Sequence, residues 1–203
     1  MIRKVAFSSV LALSLAACAT APGPVEVTRF VAPDTMAQLG EGTVFVDSVA
    51  DTDSLELSPF KAAVAAELTR LGYTESARAD AQTVAEVRAD RYVLAENGTR
   101  RGPVSVGVGG STGSYGTGVG VGVGINLNSL LGGGSRETIG SELAVVLRDK
   151  ASGTVLWEGR ADFAVRDNSP LAQRTASAQT LAAALFDEFP GNNGETIQVE
   201  VSE

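Results

Sequence analysis

The chain has 203 residues and a net charge of −8, with 24 acidic against 16 basic side chains, one cysteine and no histidine. That length supports one domain with a proper core, and the acidic balance argues against nucleic acid and against adhesion to anionic head groups. The lack of histidine removes Ser-His and Cys-His nucleophilic sites and metal sites with imidazole ligands, leaving carboxylate-pair hydrolysis and all-oxygen metal sites.

At the N-terminus, Arg3 and Lys4 precede an apolar run from Val5 to Leu15 broken only by serines. A permanent membrane span needs ~20 apolar residues, so the run fits the core of a secretory signal instead. It ends in Leu15-Ala16-Ala17-Cys18, a lipobox pattern. Small residues at Ala16 and Ala17 admit a signal peptidase, cleavage falls between Ala17 and Cys18, and the Cys18 thiol takes a diacylglyceryl group. With a further acyl chain such as palmitate on the new amine, several lipid chains make the attachment stable. Alanine rather than aspartate follows the cysteine, which favours the periplasmic face of an outer membrane. The expected organisation is a signal peptide over 1–17, lipidated cysteine and tether over 18–24, and one domain over 25–201. Loss of Arg3 and Lys4 leaves the mature chain more acidic still, and acylation of Cys18 leaves it no thiol for a disulfide.

In chain order, Val25 to Val31 is a first strand candidate and Thr43 to Asp47 a short core strand. Ser58-Pro59 opens a helix, with Ser58 as N-cap and Pro59 at the first helical position. Phe60, Val64, Leu68 and Leu71 fall at helical spacing and Gly72 closes the helix. From Ala81 to Glu96 the period is two, with Thr83, Ala85, Val87, Ala89 and Val93 on one face and Gln82, Glu86, Arg88 and Asp90 on the other, which predicts a long half-buried strand. Asn97-Gly98 is a hairpin signal.

Residues 98–135 form a Gly-rich insertion in which glycine alternates with Val119, Val121 and Val123. Two readings stand: a disordered insertion, since glycine weakens strands, or a flat glycine hairpin whose valine stripe binds another backbone or chain. Beyond it, Glu142 to Arg148 and Thr154 to Val165 are paired strands around a turn at 149–153. Trp157, Ala161 and Phe163 share a face with Val155, while Leu156, Glu158, Arg160 and Asp162 lie opposite. A second helix is expected from about Leu171 to Phe189, with Ala178, Leu181, Leu185 and Phe189 on its buried stripe, stopped by Pro190-Gly191. Thr196 to Val201 is a last edge strand. Strands grouped with two helices and joined mainly by hairpins predict an α+β fold rather than a βαβ one: a mainly antiparallel sheet with two helices packed on one face.

Candidate sites are few. Asp47, Asp51, Asp53 and Glu56 make an acidic loop that lacks the glycine and spacing of an EF-hand, and no metal is assigned to it. Glu158, Arg160 and Asp162 fit a solvent face with cross-strand ion pairs. The glycine stretch matches neither the Walker A pattern nor the dinucleotide fingerprint. No catalytic residue and no cofactor are assigned. Asn192, Asn193 and Gly194 form a turn cluster that is a candidate recognition surface.

Several pieces in this order carry a family resemblance: Leu71-Gly72-Tyr73, the long alternating strand, the Gly-rich insertion, Asp149-Lys-Ala-Ser-Gly-Thr-Val-Leu-Trp157-Glu-Gly159, and Phe189-Pro-Gly-Asn-Asn-Gly194. The sequence resembles the bacterial lipoprotein family catalogued as domain of unknown function 4136, over roughly residues 25–201. The resemblance implies fold and location and carries no activity. The functional expectation is a non-catalytic binding or structural component of the outer envelope, attached to the membrane by its lipid and meeting an envelope protein or polymer, with no nucleic acid partner. The alternative is a periplasmic carrier or chaperone of a lipid or other apolar ligand, held between sheet and helices. A carboxylate-dependent hydrolase is the third reading and requires two acids converging in a pocket.

Overall fold

In the computed structural model the described residues are 23–49, 55–94, 100–101 and 137–201. The lipobox with Ala17 and Cys18, the acids Asp51 and Asp53, the Asn97-Gly98 signal and nearly all of the Gly-rich insertion, with Val119, Val121 and Val123, lie outside them.

Among the described residues eight strands form one mixed sheet: β1 (Val25–Val31), β2 (Thr43–Ser48), β3 (Thr74–Glu75), β4 (Thr83–Leu94), β5 (Arg100–Arg101), β6 (Thr138–Asp149), β7 (Val155–Arg166) and β8 (Glu195–Val199). The order is β3-β2-β4-β6-β7-β1-β8, with β5 also on β4. Two helices, α1 (Ser58–Arg70) and α2 (Arg174–Leu185), complete the α+β fold. They pack against each other over the face bearing Val44, Val46, Ala85, Val87, Leu143, Val145, Leu147, Ala161 and Phe163.

Antiparallel pairs make up most of the sheet, but β2 runs parallel to both β3 and β4, with Val44 opposite Thr83 and Ser48 opposite Val87. The unit β2–α1–β4 is therefore a parallel crossover, a βαβ element that strands joined mainly by hairpins did not predict. A second crossover runs from β7 through α2 to β8, with β1 between them and antiparallel to both. Strand alternation cannot reveal this, because parallel and antiparallel strands bury the same period-two face.

The elements form for local reasons. α1 starts one residue earlier than Ser58 as cap would place it. Leu57 is the N-cap, without a side-chain cap bond, and Pro59 sits inside the first turn. At its far end Gly72 takes φ +110, its N–H reaching the Thr69 carbonyl while Tyr73 N–H reaches Leu68, the paired bonds of a Schellman ending. A side chain at Gly72 would strike the Gly40 carbonyl at 2.6 Å, and Gly40 N–H donates in turn to the Tyr73 hydroxyl at 2.9 Å.

The second helix is shorter than predicted. Ser169 caps a 3-10 turn over Pro170–Ala172, α2 proper ends at Leu185, and Phe189 lies beyond it in a turn. Where α2 stops, Arg29 takes its last carbonyls. This fully buried side chain donates from Nε to the Leu185 carbonyl at 3.1 Å and from Nη2 to the Ala184 carbonyl at 3.1 Å, satisfying oxygens left open by the last turn.

β6 also begins earlier than expected, at Thr138, and its pairing with β7 slips between Leu147 and Arg148, where Leu147 faces Trp157 but Arg148 faces Val155. Leu156 is the extra residue of this bulge. It is buried and Val155 is exposed, the reverse of what alternation predicts.

Candidate ligand cleft

The strand ends Ser48, Leu94 and Arg166 and the strand starts Val25 and Thr138 lie at one end of the sheet, since β1 and β6 run antiparallel to β2, β4 and β7. Both helices begin there too, each following a strand that ends there. Beyond the helices' reach, no other described residue covers the inward face of β4 and the start of β6. A cleft of about 530 Å3 results, floored by Val87, Ala89, Val93 and Ile139 and walled by Val49, Leu57 and Phe60. Val49 is 60% exposed, and Leu57, Ala89, Val93 and Ile139 are half-buried. Cavities of this size and apolar character are the usual setting for small-molecule binding.

Its polar groups gather at the helix starts. Arg174 is the first residue of α2 and pairs with Glu56 at 3.2 Å. Arg91 projects from β4 toward the same spot and donates from Nη2 to the Ala172 carbonyl. Burial, then the neighbouring Arg174 charge, push the Arg91 guanidinium below its ordinary range, while Glu56 opposes the shift. Neither helix carries an acid in its first turn or a side-chain cap on its N-cap residue, so both macrodipoles add positive potential there. Arg88, Asp90 and Tyr92 alternate with Val87, Ala89, Arg91 and Val93 along β4 and turn their side chains to the other face of the sheet. Arg88 and Asp90 are paired at 3.6 Å, Arg88 also reaches Glu142 at 3.8 Å, and Tyr92 lies 4.3 Å beneath Arg100.

The opposite sheet face holds a row of carboxylates across four strands: Asp90 faces Glu142, Glu142 faces Asp162, and Asp162 faces Glu26. Three arginines offset it. Glu142 meets Arg88, Arg100 at 3.4 Å and Arg160 at 3.4 Å. Asp162 is held above the usual carboxylate range by burial first, then by Glu26 and Glu142, against the pull of Arg100 and Arg160. Glu158 is exposed on the same face. The row sits on the surface of a sheet, not in the cleft.

The acidic loop is divided by the fold. Asp47 pairs with Arg78 and accepts from Ser48 N–H, while Glu56 turns to Arg174. Among the described residues no three acids converge as metal ligands.

Asn192, Asn193 and Gly194 lie at the other end of the molecule, where their polar atoms serve the fold. Asn193 Oδ1 accepts from Val31 N–H at 3.1 Å, Asn192 Nδ2 donates to Glu195 at 2.9 Å, and Gly194 N–H donates to the Arg29 carbonyl at 2.8 Å with φ +77. Beside them, Trp157 stacks on Phe186 at 5.3 Å and contacts Phe189, while its Nε1 donates to the Pro190 carbonyl at 2.9 Å. Gly159 makes room for that ring, since a Cβ there would stand 2.3 Å from the indole. Arg29 completes the knot with a 2.9 Å bond to Glu195. The Trp-x-Gly and Phe-Pro-Gly segments thus close one structural lock. Sequence reasoning left out Arg29 and the cleft. Arg29 did carry a signal, because it shares the inward parity of Val25, Val27 and Val31.

The architecture of the described residues defines a class: one mixed sheet covered on one face by two helices, with a locked end and a cleft at the other. The family described as Domain of unknown function (DUF4136) matches residues 29–191, and the chain belongs to it. No curated protein matches. Among solved structures, the PelC dodecamer from Paraburkholderia phytofirmans is 12% identical, covering 83% of this chain and 99% of that one at a TM-score of 0.44. A variant of that dodecamer is 14% identical over 80% and 94% at 0.41. A PDZ domain protein from Parabacteroides distasonis is 14% identical at 0.48, over 87% of this chain and 39% of that one.

Proposed function

We propose that this protein is a lipid-anchored component of the outer envelope that binds a small, largely apolar ligand without transforming it. The observation that carries this reading is the 530 Å3 cleft between the helix starts and the uncovered end of the sheet, walled by valine, leucine, isoleucine and phenylalanine side chains. The carboxylates that stand side by side, Glu142 and Asp162, lie on the opposite face among arginines, which favours binding over carboxylate-pair hydrolysis. Docking of an envelope protein or polymer on Val119, Val121 and Val123 is a separate reading that rests on their alternation with glycine.

Native mass spectrometry of the protein extracted from envelopes tests the proposal. The expected result is a co-purifying mass that is lost when Ala89→Trp fills the cleft. A ligand-free spectrum under mild extraction, or a ligand that turns over on the protein, would overturn it.

A further inference from the structure

The chain carries net negative charge, yet the mouth of its cleft is cationic. Arg91 and Arg174 meet there, and α1 and α2 both point N-terminal turns at the same place, their N-cap residues making no side-chain cap bond. Each turn presents N–H groups and a partial positive charge of about half a unit. Glu56 answers part of this charge from a side chain that is 75% exposed, and Asp90 stands on the other face of the sheet, paired with Arg88. Below the charged mouth the lining is apolar. The cleft therefore has two chemical zones, and an occupant that satisfies both has an anionic end and a hydrocarbon body.

Size narrows the class. A cleft of about 530 Å3 that opens to solvent fits one alkyl chain with a small head. Position suggests the source. Val25 enters the sheet at the cleft end, and residues 19–24 extend to about 20 Å at most. Anchorage at Cys18 would hold the cleft end toward the membrane.

Deepening the binding function proposed above, we infer that the cleft takes a single-chain anionic amphiphile, its head group between Arg91 and Arg174 and its chain along Val87, Ala89, Val93 and Ile139. The head displaces Glu56 from Arg174. A carboxylate and a phosphate monoester share the required chemistry.

The test uses the mature chain from Cys18 onward, made unacylated and free of detergent, titrated calorimetrically below micelle-forming concentrations. The probes are dodecanoate, dodecyl phosphate, dodecanol and dodecyltrimethylammonium. Binding of either anion at one site is expected, with dodecanol at least about tenfold weaker, the loss of one charge-assisted contact. Dodecanoate alone would point to free fatty acid as the natural ligand, and dodecyl phosphate alone to a lipid phosphate. Arg174→Gln should bring the anions to the level of the alcohol without changing the alcohol, and Ala89→Trp should abolish all binding. Equal binding of anion, alcohol and ammonium would overturn the anionic preference while leaving the cleft as a binding site. Failure of every probe would overturn the amphiphile assignment, whereas co-purifying mass from envelopes would still support binding of another ligand.

Discussion

The indole N–H of Trp157 donates to the carbonyl of Pro190 at 2.9 Å, joining the middle of the sheet to the turn that follows the last helix. Leu185 and Trp157 both crowd the space above Gly159, so the ring has one seat. Gly159→Ala should destabilise the protein by ~1–3 kcal/mol through overpacking, and Trp157→Phe by ~1–3 kcal/mol through an unsatisfied carbonyl and lost volume. Urea unfolding with fluorescence and circular dichroism measures the first, and circular dichroism alone the second.

Arg29 serves two helix-terminal carbonyls and Glu195 from a side chain 1% exposed. Arg29→Met should cost ~3–5 kcal/mol, because it strands a carboxylate and two carbonyl oxygens. The Asn192 side chain first, then its backbone and Arg29, hold the Glu195 carboxyl below the usual range. A depressed carboxylate stabilises above its unfolded pKa, and that gain is lost as pH falls through the folded value. Glu195→Gln should therefore lower stability at neutral pH and flatten the acid limb of a melting-temperature profile.

Asp162 has the opposite sign. Its carboxyl is raised by burial and by Glu26 and Glu142, so its charged form opposes folding and protonation relieves the strain. Stability from this group falls as pH rises between the unfolded and folded values. Asp162→Asn should raise the melting temperature at pH 7 by about 1–3 °C, the change that less than ~1 kcal/mol gives a chain of this size. The gain should vanish at pH values where the wild-type carboxyl is protonated.

The bulge at Leu156 separates two adjacent aliphatic residues by environment. Leu156→Ala should cost ~2–4 kcal/mol and Val155→Ala less than ~0.5 kcal/mol. Equal costs in denaturant unfolding would contradict the register shift.

Lipidation is open to a direct check. Cys18→Ala should abolish incorporation of labelled palmitate and leave the precursor with its signal uncut. Labelling that persists in this variant would rule out Cys18 as the acylated residue.

Most elements were legible in the sequence because period-two and helical patterns report which face is buried. Val25–Val31, the long fourth strand and the first helix follow from that rule. The β2–α1–β4 crossover did not, since neighbours and direction are set by pairing across the sheet. Leu156 broke the rule because a bulge shifts parity, and α2 stops at Leu185, before Glu188 takes a positive φ, with its last carbonyls held by a side chain from the first strand. The cleft draws its lining from the residue after β2, from α1 and the residues before it, and from β4, β6 and α2, so no spacing along the chain encodes it. Asn192, Asn193 and Gly194 stood out as a motif for recognition, yet the bonds they make are to Val31, Glu195 and Arg29.

The place of the first strand has a consequence for how the chain matures. β1 lies between β7 and β8, the last two strands to leave the ribosome. Until they emerge it has no neighbour on either side, and the Arg29 lock lacks its carbonyls. Sheet completion waits on the final segment, which makes folding slow through high contact order. The same delay would keep a newly made chain threadable, which the export proposed above requires.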